Sequence, residues 1–267
     1  MKQVLTLFSV LALTAPLSAT AAQIEFAGEE QSRCSIELSH TTRVGADFFE
    51  IAHDDDQQTL RFALNRSAEV TINGQAMSLN AAQQRQMTVY HTGLLQSGRD
   101  LTQIAIDAVD IAMEGVGIAL TALAGADHPD SLEFRSAAED LRNTTRGKLH
   151  PQDGVYILGE SWDDEIGTSI EQTIERELEP RIEKIALESA GNLTWHALKA
   201  VFTGGASIER DAEAAAEAAE ELVEARALQL ESRAENLCHN LAVMDTIETD
   251  LQSATPALES FDLISLK

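Results

Sequence analysis

The spacing of apolar residues changes at Asn80. Before Asn80 apolar residues alternate with polar ones, as in Cys34, Ile36 and Leu38. After Asn80 they recur every three or four residues. Alternation is typical of half-buried strands, and the longer spacing is typical of amphipathic helices. The sequence therefore predicts a predominantly helical α+β fold, in which a small N-terminal antiparallel β-meander packs against long helices.

The meander is expected within residues 23–79. Strands are predicted at 34–39, 47–52, 59–64, 69–72 and 75–79. The last two flank Asn73-Gly74, a strong hairpin signal because a type I′ turn needs positive φ at both central residues. A further short strand, Val155–Leu158, is expected to return to the sheet.

The first two helices follow the meander. Asn80 is a capping residue with Gln83 in the capping-box position, and the apolar stripe runs to about Leu123. Gly93 and Gly98 are expected to loosen this helix. A shorter helix is predicted from Pro129 to Gly147.

Two longer helices are predicted in the second half. The first spans 162–201 with a kink near Pro180. After Gly204-Gly205, Ser207 caps the second, and the two should form an antiparallel hairpin. Near-heptad spacing in the last helix fits either this hairpin or a dimer, so the oligomeric state stays open. Residues 80–254 should pack on the meander as one domain, with 255–267 as a flexible tail.

Residues 1–22 have the three parts of a secretory signal peptide. A basic end at Lys2 precedes an apolar run, Val4–Leu13, and small residues around Ala19 and Ala21 form a cleavage site. The run is shorter than the ~20 residues of a spanning helix. We therefore expect cleavage, export and no membrane span.

The stretch Gly115–Ala126 is the most apolar part of the mature chain. It too is shorter than a membrane span and is rich in glycine and alanine. Small residues let another backbone approach closely. This pattern predicts a buried helix end at a tight helix crossing.

The chain is strongly acidic, with 44 Asp and Glu against 19 Lys and Arg and a net charge of −25. Nucleic-acid binding needs clustered positive charge, so that class is excluded. The last helix carries an acidic face. It is either a solvated face or a surface for basic segments of envelope or exported proteins.

The chain has two cysteines, Cys34 and Cys238. In an exported protein such a pair predicts one disulfide that ties the two ends of the chain together.

The sequence also resembles the YggN-like family of secreted Gram-negative bacterial proteins, a domain family of unknown function. The resemblance rests on the signal peptide, the segment Cys34–Leu38, the block Val70–Gln83 and the late Cys238. It implies a periplasmic location and paired cysteines. It implies no activity, and therefore no catalytic residues.

Two acidic clusters are candidate sites. His53-Asp54-Asp55-Asp56 is better explained as a solvated turn than as a cation site. Trp162-Asp163-Asp164-Glu165 is better explained as acids that complement a helix dipole. The familiar serine-hydrolase, zinc-protease and nucleotide-binding motifs are missing from the sequence.

We therefore predict no catalytic residue, no metal ligand and no cofactor. The expected function is that of a non-enzymatic binding or structural module of the cell envelope. Two alternatives stay open. The first is a carrier of an apolar ligand between helices. The second is a hydrolase or metal-dependent enzyme whose site is assembled from distant residues.

Overall fold

The computed structural model describes residues 22–27, 33–53, 58–64, 68–124, 129–151, 153–159, 162, 176 and 206–266. The strands are β1 Ala22–Ala27, β2 Arg33–Leu38, β3 Thr41–Gly45, β4 Phe48–His53, β5 Gln58–Ala63, β6 Glu69–Ile72, β7 Gln75–Met77, β8 Tyr156–Leu158 and β9 Ile264–Leu266. The helices are α1 Ala81–Ala124, α2 Pro129–Leu149 and α3 Ala206–Ala254, with a 3-10 helix at Pro256–Phe261. The α+β prediction is confirmed.

Six strands form one sheet in the order β7-β6-β5-β4-β3-β8. The register aligns Val44 with Phe49, Phe49 with Phe62, and Phe62 with Val70, and all four side chains are buried. One face of this sheet is therefore a continuous apolar row. The predicted strands at 47–52, 59–64, 69–72 and 75–79 and the returning strand near Val155–Leu158 are confirmed, with small shifts in their ends.

The turn between β6 and β7 has the predicted chemistry. Asn73 and Gly74 both have positive φ, 51° and 76°. The Asn73 side chain also accepts a hydrogen bond from the Thr59 N–H at 2.8 Å. The Asn73 N–H donates back to the Thr59 carbonyl at 2.8 Å. These contacts fix the hairpin against β5.

Three strands form a second sheet in the order β1-β2-β9, and it corrects two expectations. The strand that begins at Cys34 was expected to belong to the same meander as the strands that follow it, but as β2 it pairs with β1 and β9 in this separate sheet. The segment 255–267 was expected to be a flexible tail. Instead it forms the 3-10 helix and β9, in which Ile264 pairs with Leu38. Its apolar side chains are buried, namely those of Leu258, Phe261, Leu263 and Ile264. Burial of apolar surface offsets the cost of ordering the chain, so the segment packs.

Helix α1 begins with the predicted capping box. The Asn80 side chain accepts from the N–H groups of Ala82 and Gln83 at 2.8 and 3.0 Å. The Asn80 N–H donates to Gln83 Oε1 at 2.8 Å. The helix then continues without interruption past Gly93 and Gly98, which were expected to loosen it.

The other helices agree with the sequence within a few residues. Helix α2 continues two residues beyond Gly147, and α3 begins one residue before the predicted cap Ser207. Of the predicted helix at 162–201 the structure describes only Trp162 and Arg176. Its kink near Pro180 and the predicted hairpin lie outside the described residues. No described helix has the length and apolar character that crossing a membrane requires.

Two compact units are distinguished along the chain. The first contains Met1–Leu94, Ile157–Glu160 and Cys238–Lys267, and the second contains Leu95–Tyr156 and Ser161–Leu237. The first unit has a core of aromatic and aliphatic side chains from the sheets and helix ends. The second has a core formed by Met113, Phe134, Ala137, Ala138 and Leu141. That 80–254 packs on the meander as one domain stays a prediction.

In the second unit, neighbouring helices lie against the small residues of α1. A Cβ built at Gly115 would lie 3.6 Å from Val223 of α3, and one at Gly117 would lie 3.7 Å from Phe134 of α2. These are ordinary van der Waals distances. Gly115 and Gly117 therefore lie at helix contacts, and alanine would fit at either position.

Candidate functional site

The first unit contains a buried carboxylate, Glu248 of α3, which is only 5% exposed. The Tyr90 hydroxyl of α1 donates to Glu248 Oε1 at 2.8 Å. The Leu263 N–H donates to the same oxygen at 2.9 Å, and the Ile264 N–H donates to Oε2 at 3.0 Å. Both carboxylate oxygens are therefore hydrogen-bonded, as a buried polar group requires.

Helical spacing places both side chains in the interior. Tyr90 follows Met87 by three residues and precedes Leu94 by four, so it lies on the buried face of α1. Glu248 follows Met244 by four residues and precedes Leu251 by three, so it occupies a core position of α3. No sequence motif identifies Glu248. The available signal was a glutamate at a position where the apolar stripe requires an apolar residue.

Burial dominates the electrostatics of Glu248. Loss of hydration raises its pKa to about 7. The two backbone N–H groups and the Tyr90 hydroxyl oppose this rise because they stabilise the charged form, whereas the negative charge of Asp262 adds to it. Burial and the Glu248 charge raise the pKa of Tyr90 well above its ordinary value, so its hydroxyl keeps its proton as a donor.

A cavity of about 20 Å³ adjoins this cluster, lined by Tyr90, Glu248 and apolar side chains of the sheet and the C-terminal segment. This is roughly the space that one water molecule needs. The cluster can therefore take up or release a proton and fix the C-terminal segment. It has no room for an organic substrate at this point.

The second unit has a charged cleft of about 300 Å³ between α1 and α3. Arg226 pairs with Glu114 and Arg233 pairs with Asp107. Arg146 Nη2 lies 2.5 Å from Asp110 Oδ2. These arginines are thus neutralised by carboxylates of α1. Partly exposed pairs of this kind contribute only about 0–1 kcal/mol each.

The side of α3 that faces away from α1 carries an exposed leucine among carboxylates. We define the outer face of α3 as Glu224, Leu228, Glu231 and Glu235. Helical spacing puts these residues on one side of the helix, opposite Arg226 and Arg233. Leu228 is 59% exposed. Glu224 and Glu235 are exposed and Glu231 is half-buried.

The predicted disulfide partners lie on elements of the first unit. Cys34 is in β2 and Cys238 is in α3. The side chain of Cys34 lies outside the described side chains, so the disulfide stays a prediction.

The structure describes only the first residue of each of the two acidic clusters. His53 ends β4 and Trp162 is described, whereas Asp54–Asp56 and Asp163–Glu165 lie outside the described residues. Within the described ranges, no three His, Cys, Asp or Glu side chains are grouped so that they could hold a metal ion.

One family model matches residues 34–264, which is most of the chain; its description is a protein of unknown function, DUF2884. No curated protein and no solved structure matches the chain. The expected membership of an uncharacterised family is thus confirmed, whereas the YggN-like name stays a prediction. Because the match runs from β2 to β9 and includes the Asn73-Gly74 hairpin, the Asn80 cap and Glu248, the chain belongs to the DUF2884 family of proteins of unknown function.

Proposed function

We propose that this protein is an exported, periplasmic, non-enzymatic binding module of the cell envelope. In this proposal the outer face of α3 binds a protein partner through a basic, amphipathic helix. Export is supported by the signal-peptide features of residues 1–22. The observation that carries the binding role is the exposed Leu228 within an acidic helix face.

The arrangement around Leu228 favours a partner of defined chemistry. Glu224 lies one helical turn before Leu228, and Glu231 lies one turn after it, so an apolar side chain is bracketed by negative charges. A partner helix with an apolar row flanked by Lys or Arg would bury Leu228 and approach both carboxylates. Apolar contact supplies affinity in such helix recognition, and complementary charge supplies orientation and rate.

The opposite side of α3 forms ion pairs with α1. Arg226 and Arg233 are paired with Glu114 and Asp107 of α1. Their positive charge is therefore directed away from the outer face and is locally compensated. The outer face keeps its negative charge, in a chain whose net charge is −25. This asymmetry supports recognition of a basic partner rather than an acidic one.

The test uses the full mature chain and a defined probe. The probe is a fluorescent peptide of leucine and lysine, with leucine at helical spacing, and a scrambled peptide of the same composition is the reference. Binding is followed by fluorescence anisotropy at low and high salt. Leu228→Ser and the double change Glu224→Lys/Glu235→Lys probe the outer face. Leu132→Ser is the matched control, because Leu132 is 52% exposed on α2 of the same unit.

We expect the helical peptide to bind more tightly than the scrambled one. Each outer-face variant should weaken binding by about tenfold, which corresponds to about 1.4 kcal/mol. The control variant should keep its affinity within about twofold. Equal binding of both peptides, or equal loss in the Leu132 variant, would show only general attraction to an acidic protein and would overturn the proposal.

A further inference from the structure

Two histidines face each other at the end of the six-stranded sheet. Strands β3 and β4 pair antiparallel with Thr41 opposite Ala52, so the next pair outward is His40 opposite His53. Their imidazole ring centroids are 4.5 Å apart, and the ring planes are inclined by 39°. Directly opposed residues on neighbouring strands are the closest side-chain neighbours that a sheet provides.

The pair lies at the edge of the buried face of the sheet. Thr42 and Ile51, the next positions on that face, are buried, and side chains two residues apart on a strand share a face. His40 and His53 are half-buried. They therefore lie between the apolar row of the sheet and solvent, where water is partly excluded.

One imidazole nitrogen of the pair, His53 Nδ1, is buried without a hydrogen-bond partner among the described residues. Leaving such a nitrogen desolvated without a partner costs about 1–3 kcal/mol. In a neutral imidazole a nitrogen without a proton carries a lone pair, which is the donor that a metal ion uses.

The ring separation fits coordination of one ion. Imidazole nitrogens bind zinc at about 2.0–2.1 Å, so two nitrogens on one ion lie roughly 3 Å apart. Two rings with centroids 4.5 Å apart reach that arrangement by rotation about their side-chain torsions. The χ2 torsion of histidine has a broad range of allowed values, so each ring can turn within it.

The backbone of His40 is held in place by the end of β8. Gly159 has φ +86°, and a Cβ at this position would lie 1.8 Å from the His40 carbonyl oxygen. Only glycine permits this approach. Since β8 neighbours β3 in the sheet, His40 is held between β8 and β4. The backbone of His40 is thus positioned by contacts that do not depend on a metal.

We propose that His40 and His53 form a two-histidine site for a divalent transition-metal ion. Imidazole ligands suit Cu²⁺, Ni²⁺ and Zn²⁺, and the usual affinity order places Cu²⁺ first. In the described part of the chain no third ligand of the same kind joins the pair. Hard ions such as Mg²⁺ prefer oxygen ligands and are not expected to bind here.

The test is a calorimetric titration of the metal-free full mature chain with Cu²⁺, Ni²⁺, Zn²⁺ and Mg²⁺. The variants are His40→Gln, His53→Gln and the double change. His150→Gln is the matched control, because His150 is an exposed histidine after α2. Electron paramagnetic resonance of the Cu²⁺ complex counts the nitrogen ligands independently. Circular dichroism of each variant checks that the fold is retained.

We expect one Cu²⁺ per chain on two nitrogen ligands, with Zn²⁺ and Ni²⁺ weaker and no Mg²⁺ binding. Each single variant should weaken Cu²⁺ binding by about tenfold or more, since even residues outside the ligand set change metal affinity by 10–100-fold. The control should bind as the unaltered chain does. Unchanged binding in the double variant, or a spectrum without two imidazole nitrogens, would overturn the site. The electron paramagnetic resonance spectrum of the unaltered chain tests for two nitrogen ligands even where a variant does not fold.

Discussion

The hydroxyl of Tyr90 donates a 2.8 Å hydrogen bond to Glu248 Oε1 and joins α1 to α3 across 158 residues of chain. The same carboxylate receives the N–H groups of Leu263 and Ile264. The attachment of the C-terminal segment therefore includes one ionisable side chain. Its charge state must affect the stability of the first unit.

The first prediction concerns pH. Glu248 has a pKa of about 7 in the folded protein, against an ordinary value of 4.5. The folded state therefore binds more protons than the unfolded state between these values. It follows that the contribution of Glu248 to stability falls as pH rises from about 4.5 to about 7. At about 1.4 kcal/mol per pH unit between these two values, the loss is at most about 3.5 kcal/mol.

Glu248→Gln is the matched variant for this pH dependence. Glutamine does not titrate, so the variant should lose less stability than the unaltered chain as pH rises from 5 to 7.5. Its amide group would face a backbone N–H donor, so at acidic pH the variant should be less stable by about 1–3 kcal/mol. Urea unfolding at several pH values measures both effects. Parallel pH profiles for the two proteins would contradict the assignment to Glu248.

The second prediction separates the effect of the Tyr90 hydrogen bond on the pKa of Glu248 from the effect of burial. Tyr90→Phe removes the hydroxyl that holds the pKa of Glu248 down, and it leaves the ring in place. The pH-dependent loss of stability should therefore extend to higher pH than in the unaltered chain. The variant should also be less stable by about 1 kcal/mol at pH 8. Urea unfolding between pH 6 and 9 tests this, and a loss of stability with no shift in the pH profile would show that Tyr90 acts by packing alone.

The sequence predicted the parts of the fold that depend on local chemistry. The Asn73-Gly74 turn and the Asn80 capping box depend on residues within a few positions of each other, and both are confirmed. Strand β3 was missed, because its inward residues are Thr42 and Val44 and alternation is weak in so short a segment.

The parts that were missed depend on contacts distant in sequence. Strand β9 is three residues long, and it forms because Ile264 can pair with Leu38. The role of Glu248 depends on Tyr90 and on the backbone of the C-terminal segment. Apolar periodicity detects which face of a helix is buried, but it does not identify what lies opposite. A glutamate within that periodicity was the only local sign of the cluster.

The third prediction concerns the crossing of α1 and α3 in the first unit. A Cβ at Gly93 would lie 1.9 Å from Met244 Sδ and 2.9 Å from Met244 Cγ, so Met244 would have to move. Gly93→Ala should therefore destabilise the protein, because overpacking costs about 1–3 kcal/mol and exceeds the gain in helix propensity of about 1 kcal/mol. Thermal unfolding measures the change.

Gly147→Ala on α2 is the control for this crossing. Nothing lies within 4 Å of a Cβ at Gly147, so this change should stabilise the protein by about 0.5–1 kcal/mol. If both alanine variants gain stability, the close contact between Gly93 and Met244 is not rigid.

The fourth prediction tests the C-terminal segment. Phe261 is fully buried in the first unit, so Phe261→Ala should cost about 3–5 kcal/mol of unfolding free energy. Leu266→Ser is the control in the same segment, because Leu266 is half-exposed, and its effect should be within about 0.5 kcal/mol. Guanidinium unfolding compares the two. If the segment were a flexible tail, both variants would have the same free energy of unfolding as the unaltered chain.

The fifth prediction is the disulfide between Cys34 and Cys238, which requires export to an oxidising compartment. Protein purified without reductant from the cell envelope should lack residues 1–22 and yield a peptide pair joined by this bond. Closing a loop of about 200 residues stabilises by up to roughly 5 kcal/mol in the chain-entropy model. Cys34→Ser, Cys238→Ser and the double variant should therefore lose similar stability, because each of them removes the same bond. Reductant should lower the stability of the unaltered chain to that of the variants and leave the stability of the variants unchanged. Additive losses in the double variant would show two separate thiols instead.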